Sequence, residues 1–163
     1  KSVYGKAKLL ASMHLLNLFE KNNFPSVVLR LYLTYGPKQD VNRFLPIIIK
    51  GCIKNEKFPC SKGNQLRDFI HVEDVAIANL AAMESQIKNG FFNIGTGRAI
   101  SILQLAEIMI NISGLDLTPE FAPLPQGDVE LSQADTTLSK KLLDWQSSIT
   151  LEKGLVQLFE KVQ

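Results

Sequence analysis

Cysteine is nearly absent from this 163-residue chain: Cys52 and Cys60 are its only two. Neither has a histidine at metal-ligand spacing, which excludes a zinc finger or ribbon, and two thiols make no disulfide framework. Both read as packed thiols in a reducing cytoplasm. Long apolar runs are also missing. The longest, such as Phe44 to Ile49, falls far short of the roughly 20 residues that span a bilayer, so no membrane is expected as a partner. Charge of one sign is lacking too. Eighteen Lys and Arg against 16 Asp and Glu leave a formal net charge of +2. No basic stripe stands out, which argues against nucleic acid as a partner. No internal repeat or low-complexity tract is visible, and the polar, charged first residues give no secretory leader. What remains is 45% hydrophobic, an ordinary globular composition in a chain long enough for a real core.

The order of elements points to an α/β protein. Residues 4–22 carry Leu9, Leu10, Met13, Leu16 and Phe19 on one helical face, widened by Leu15 and Leu18. Asn22-Asn23 breaks the helix and Phe24-Pro25 forces extension. Ser26 to Tyr35 is nearly all apolar or β-forming, as in a parallel strand covered on both faces, and it makes Arg30 a buried, structural residue. Gly36-Pro37 ends it. A helix followed by such a strand is half of a βαβ repeat. Further helices are predicted over 42–55, with Pro46 in the first turn, and over 72–86. Short extended pieces flank Pro59, and Phe91 to Gly95 is a short strand. Ser101-Ile102-Leu103-Gln104 is a capping box that opens a helix to about Gly114. Residues 115–134 read as strand and loop. Asp135 or Thr136 caps a short helix reaching Leu143, Trp145 belongs in the core, and Thr150 caps a last amphipathic helix.

The chemistry begins at Tyr4. Lys8 follows four positions later, so both side chains lie on one helical face, one turn apart. A phenol with its reference pKa of about 10 is a poor base at neutral pH, and an adjacent ammonium favours the phenolate. Such a pair can shuttle the proton of a sugar hydroxyl. Tyr-x-x-x-Lys also arises by chance at an ordinary helix start, and on the pair alone both readings stand.

Four segments in order decide between them. They are Tyr4-Gly5-Lys6-Ala7-Lys8, then Leu29 to Pro37, then Gln65-Leu66-Arg67-Asp68-Phe69-Ile70-His71-Val72-Glu73-Asp74-Val75-Ala76, and then Phe92-Asn93-Ile94-Gly95-Thr96-Gly97. Gly127-Asp128-Val129, Ala134-Asp135 and Leu142-Leu143-Asp144-Trp145 close the pattern. This set resembles the C-terminal half of the extended short-chain dehydrogenase/reductases, the NAD(P)-dependent nucleotide-sugar epimerases, dehydratases and reductases, across essentially the whole chain.

The resemblance implies a division of labour. Tyr4 would be the proton-transfer base at the sugar C4 hydroxyl, and Lys8 would tune it and hold the nicotinamide ribose. Both would therefore touch the cofactor, NAD or NADP, which carries the redox step. Arg67 would grip the diphosphate of a nucleotide-diphosphate sugar, a task suited to a guanidinium fork. The simpler alternative for Arg67 is a surface salt bridge to Asp68. Arg43 and Phe44 would contact the nucleotide, Pro59 and Ser61 the base, and Leu33 and Asp128 other parts of the substrate. His71 reads as a polar tip packed at a strand end, and Asp74 as a carboxylate at a helix start. The Gly95-Thr96-Gly97 turn lacks the third glycine of a dinucleotide fingerprint.

Departures shape the expectation as much as matches. Leu33 stands where the family often has a phosphate-binding Asn, and Pro125 where many members carry a second diphosphate Arg. Ser61 replaces a base-facing aromatic, and Ala7 a Ser before the Lys. Arg43 or Arg98 would then take over phosphate contacts. No Gly-rich phosphate loop occurs in the sequence, so no helix N-terminus is provided for the cofactor pyrophosphate. The chain is therefore expected to be part of a longer enzyme and, alone, not to bind NAD(P) tightly. The expected architecture has two interleaved parts. Residues 1–36 and 68–97 form the C-terminal part of a Rossmann-like parallel sheet, and 37–67 and 98–163 a small α/β substrate-binding subdomain. The complete protein is expected to be a cytoplasmic homodimer, joined through the helix bearing Tyr4 and Lys8. Its reaction is epimerisation, dehydration or keto-reduction. The competing reading is a non-catalytic nucleotide-sugar-binding or assembly module.

Overall fold

The computed structural model describes residues 2–61, 63–122 and 129–161. Helix α1, Val3–Asn22, opens at Ser2, whose hydroxyl accepts from the Gly5 N–H at 3.1 Å. It closes at Asn23, whose left-handed backbone (φ 53°) turns its N–H onto the Phe19 carbonyl at 2.8 Å. Strand β1, Ser26–Leu31, and strand β2, Leu33–Tyr35, are separated by Tyr32 alone. Helix α2, Phe44–Lys54, strand β3, Pro59–Ser61, strand β4, Leu66–His71, and helix α3, Val72–Glu84, follow. Then come β5, Asn89–Ile94, β6, Ala99–Ser101, and α4, Ile102–Ser113, whose capping box forms as the sequence requires: Ser101 and Gln104 exchange side-chain and backbone bonds. The chain continues through β7, Glu120–Ala122, β8, Leu131–Ser132, α5, Thr137–Leu142, and α6, Leu151–Glu160.

The break at Tyr32 matters because the strand changes partners there. β1 runs parallel to β5, with Val28 opposite Phe91. The Tyr32 N–H still reaches the Ile94 carbonyl at 3.0 Å. β2 then runs parallel to β4, with Tyr35 opposite His71. β6 joins β4 antiparallel and β8 joins it parallel, while β3 and β7 form a separate parallel pair. The fold is thus mixed α/β with parallel strands.

Two apolar cores organise the packing. The larger gathers Ile48, Ile49 and Cys52 of α2, Leu105, Ala106 and Met109 of α4, and Leu155, Leu158 and Phe159 of α6 around Tyr35, Phe58 and Phe69. The smaller brings Val75 and Ala78 of α3 and Phe92 and Ile94 of β5 together with Ile70, Leu143 and Trp145. Fully burying one such Leu or Ile contributes about 1.5–3 kcal/mol.

Two expectations need correction. The 26–35 segment is not doubly covered: β1 is half-buried and its last two residues, Arg30 and Leu31, are exposed. The cause is pairing, since among the described residues β1 has a strand on one side only. Arg30 is accordingly not buried; its guanidinium lies 4.6 Å from the centre of the Phe91 ring. Helix α1 buries no residue: Leu15, Leu16, Leu18 and Phe19 are half-buried near β1 and β5, while Leu9, Leu10 and Met13 are exposed. No helix among the described residues is long and apolar enough to cross a membrane.

Candidate functional site

The end of β2 is where a site forms. The chain leaves Tyr35 through Gly36-Pro37, crosses a polar loop and enters α2, and this path walls a cleft of about 520 Å³. Its lining includes Tyr32, Leu33, Thr34, Gln39, Asp40, Arg43 and Phe44, with Tyr35, Leu45 and Phe69 from the core beneath. The volume is that of a small-molecule site, and the place fits the rule that open α/β sheets bind ligands beyond the carboxyl ends of their strands. Three residues singled out in the sequence, Leu33, Arg43 and Phe44, meet here. Leu33 is exposed at 46% despite its apolar side chain. Arg43 precedes the first residue of α2 and spends no side-chain bond on capping it.

Gln39 belongs to this wall and was not anticipated. Its Nε2 donates to the Thr34 carbonyl at 3.2 Å. Its Oε1 is buried with no partner. A buried acceptor left unpaired costs about 1–3 kcal/mol, so a ligand N–H or O–H arriving there would gain an interaction. The sequence signal was a polar Lys-Gln-Asp directly after a strand-ending Gly-Pro.

Strand β4 presents the Arg67–Asp74 segment. Arg67 is nearly buried, and its guanidinium donates to the Leu66 carbonyl at 2.9 Å. Asp68 is fully buried and clamps a turn. One carboxylate oxygen accepts from the Thr96 N–H and hydroxyl, at 2.8 and 2.6 Å. The other accepts from the Gly97 and Ala134 N–H groups, at 2.9 and 3.1 Å. The Gly95-Thr96-Gly97 turn is therefore shaped around an internal carboxylate. A side chain at Gly95 would come within 2.6 Å of the Ala134 methyl.

Asp74 does more than open a helix. It is buried, and accepts from the Ser148 N–H and hydroxyl at 3.1 and 2.8 Å and from the Ile149 N–H at 3.0 Å. The cap of α3 is instead His71, whose Nδ1 accepts from the Glu73 N–H at 3.3 Å. The His71 ring meets Tyr35 edge-on, with centroids 5.3 Å apart. Burial first, and then the charges of Asp74 and Glu152, push the Tyr35 phenol well above its usual range. Tyr35 is thus an inert core phenol.

Tyr4 and Lys8 stand apart. Both lie exposed on the first turns of α1, with the Lys8 ammonium 5.6 Å from the Tyr4 ring centre. Neither lines the cleft. Pro59 is exposed and sits in β3, paired with β7, also away from the cleft lining; the Ser61 backbone completes that pair. Asp128 and Pro125 lie outside the described residues. Burial raises both thiols, Cys52 and Cys60, which disfavours them as nucleophiles. Among the described residues, no cluster of His, Cys, Asp and Glu could hold a metal.

Residues 1–95 match the family described as NAD dependent epimerase/dehydratase. The dTDP-L-rhamnose 4-epimerase of Burkholderia thailandensis is 33% identical over 96% of this chain and 45% of its own length. A UDP-glucose 4-epimerase from Thermotoga maritima, crystallised with UDP-glucose, superposes with a TM-score of 0.92 at 35% identity, over 98% of this chain and 52% of that one. A UDP-glucuronic acid 4-epimerase from Bacillus cereus, in complex with UDP-glucuronic acid and NAD, gives 0.88 at 26% identity, over 98% and 53%. The chain spans about half the length of these proteins.

Proposed function

The chain belongs to the NAD-dependent epimerase/dehydratase family, and from that premise we propose that it forms the substrate-side half of an enzyme acting on a nucleotide-diphosphate sugar. The cleft beyond β2 carries this reading: it has the size of a small-molecule site, one arginine at a helix entrance, and an unpaired buried acceptor on Gln39. Arg43 on the cleft wall is the guanidinium proposed for the diphosphate, with Arg67, nearly buried on β4 and outside the cleft lining, as the second candidate. Gln39 offers its acceptor to a sugar hydroxyl or a base N–H. Phe44 and the exposed Leu33 give the apolar wall for the sugar or base.

Tyr4 is the proposed base. The exposed pair on α1 shares one helical face, with the Lys8 ammonium 5.6 Å from the Tyr4 ring centre. The pair also fits the ribose end of a nicotinamide dinucleotide, since both side chains project from the helix without competing bonds to the core. The described residues offer nothing comparable for the pyrophosphate end, as the one Gly-x-Gly turn is folded around Asp68. The bound nicotinamide supplies hydride acceptance and return. The protein's part is to hold the C4 hydroxyl against Tyr4 and to take up its proton.

The test is Tyr4→Phe in the complete protein, assayed with NAD or NADP and a panel of UDP- and dTDP-sugars. Turnover should fall about 10²- to 10⁴-fold with the UDP affinity unchanged. Turnover that survives the substitution would remove Tyr4 as the base; a parent protein that binds a nucleotide sugar but shows no turnover would leave the binding-module reading, for which the apolar Leu33 in the cleft is the supporting observation.

A further inference from the structure

The wall of the cleft holds one buried polar atom that the fold itself does not serve. Among the described residues lining the cleft, Gln39 alone has a buried side-chain oxygen or nitrogen without a partner, its Oε1. Its neighbours are committed within the loop. The Thr34 hydroxyl donates to the Tyr32 carbonyl at 3.2 Å, and Asp40 Oδ1 accepts from the Asn42 N–H and side-chain amide at 2.9 and 3.1 Å. The other end of the Gln39 carboxamide is held, since Nε2 donates to the Thr34 carbonyl at 3.2 Å. That bond fixes which atom is left over. Turning the amide over would set its oxygen against the Thr34 carbonyl, two acceptors with no proton between them. At the buried position Gln39 therefore takes a donor and offers none. Gln39 also borders a groove behind the loop, but its anchor, Thr34, lines the cleft and not the groove.

We propose that Gln39 is a specificity-determining residue that accepts a hydrogen bond from one hydroxyl of the sugar ring. The assignment rests on the cleft being a nucleotide-sugar site, and it narrows what that site accepts. A nucleotide sugar is a row of three parts: sugar, diphosphate and base. The wall offers a matching row: Gln39 tied to strand β2, Arg43 immediately before α2, and Phe44 as the first residue of α2. With the guanidinium on the diphosphate and the Phe44 ring on the base, the sugar falls to Gln39, beside the exposed Leu33. Leu33 has no side-chain hydrogen bond to give, so polar recognition at that end of the wall is left to Gln39. A sugar carbon bearing a hydroxyl supplies the missing donor. A deoxy or keto carbon leaves the acceptor buried and unpaired, which is how a site built around a hydrogen bond rejects analogues that lack the group.

The experiment is calorimetric titration of the complete protein with UDP-glucose and dTDP-glucose, each set against its sugar-free counterpart, UDP or dTDP. Gln39→Met keeps the length of the side chain and removes the acceptor. It should weaken the nucleotide sugar roughly three- to tenfold and leave the nucleoside diphosphate within about twofold of the parent. In the parent, one monodeoxy analogue of the glucose ring should bind more weakly by the same factor. In Gln39→Met that analogue and the full sugar should bind alike. The analogue series on the parent needs no variant, so it decides the matter should Gln39→Met fail to fold. Equal losses for the nucleotide sugar and the bare diphosphate would assign Gln39 to the base or to the loop and overturn the proposal. A parent indifferent to every monodeoxy analogue would overturn it as well. If the nucleotide sugars bind while these ratios stay flat, the role of Gln39 alone is lost. If neither the sugars nor the bare diphosphates bind, the nucleotide-sugar reading of the cleft falls with it.

Discussion

Replacing Asp68 by Asn changes one atom in a place where each atom is committed. The carboxylate accepts four hydrogen bonds, two at each oxygen, and is fully buried. An amide has one acceptor oxygen and one NH2, and its two orientations differ in consequence. With the NH2 toward Gly97 and Ala134, two buried N–H groups face another donor and lose their acceptor. At about 1–3 kcal/mol for each orphaned donor, that arrangement costs about 2–6 kcal/mol. With the NH2 toward Thr96, the threonine hydroxyl can turn to accept, and only the Thr96 N–H is orphaned. The variant will adopt the second orientation and still lose one N–H acceptor and one strong O–H donation. We expect Asp68→Asn to destabilise the chain by about 3 kcal/mol, lowering Tm by roughly 6–12 °C for a domain of this size. Urea unfolding followed by circular dichroism gives the free energy. Hydrogen exchange should show the Thr96 amide opening before the core does. A loss below about 1 kcal/mol with an unchanged m-value would refute the clamp, since water would then be serving these donors as well as the carboxylate does.

Other outcomes follow from the same neighbourhood. Gly154→Ala, normally favourable inside a helix, should destabilise by about 1–2 kcal/mol, because the new methyl would overlap the Tyr35 hydroxyl. Tyr35→Phe in the same chain should recover part of that loss, and an additive double-mutant cycle would contradict the overlap. Tyr35 also sets a sign for alkaline stability. Its folded pKa lies above the unfolded value of about 10, so the folded chain binds the extra proton. Its contribution is complete below pH of about 10 and is lost as pH rises through the folded pKa. Urea midpoints between pH 8 and 11 should fall less steeply for Tyr35→Phe than for the parent; equal slopes would count against the assignment.

How far the sequence spoke for itself depended on distance along the chain. Signals within one turn were legible: the Ser101–Gln104 capping box, the Thr150 cap and the Asn23 stop all form as local chemistry requires. The Tyr4–Lys8 pair is likewise a one-turn relation, and its two side chains do come to one exposed face. The break at Tyr32 was not legible, because an unbroken β-forming run does not record a change of neighbouring strand. Nor were the partners of Asp68 and Asp74, which lie 28 to 75 residues away. The helix start offered a local reason for Asp74, the dipole, and the actual reason is a distant loop. The cleft fell between the two cases. Leu33, Arg43 and Phe44 came from a family pattern, whereas Gln39 entered only through the path of the loop.

The two buried aspartates also set an order on how the chain can be made. Asp68 and Asp74 leave the ribosome well before Ala134, Ser148 and Ile149, the groups that later donate to them. Until residues 134–149 are synthesised, β4 and α3 cannot seat both carboxylates without leaving them short of donors, so water must hold them and the segment must stay loose. Final closure therefore waits on Ala134, Ser148 and Ile149. A nascent chain released before Ser148 would carry Asp74 with no loop to receive it and would present its half-formed core to chaperones and proteases.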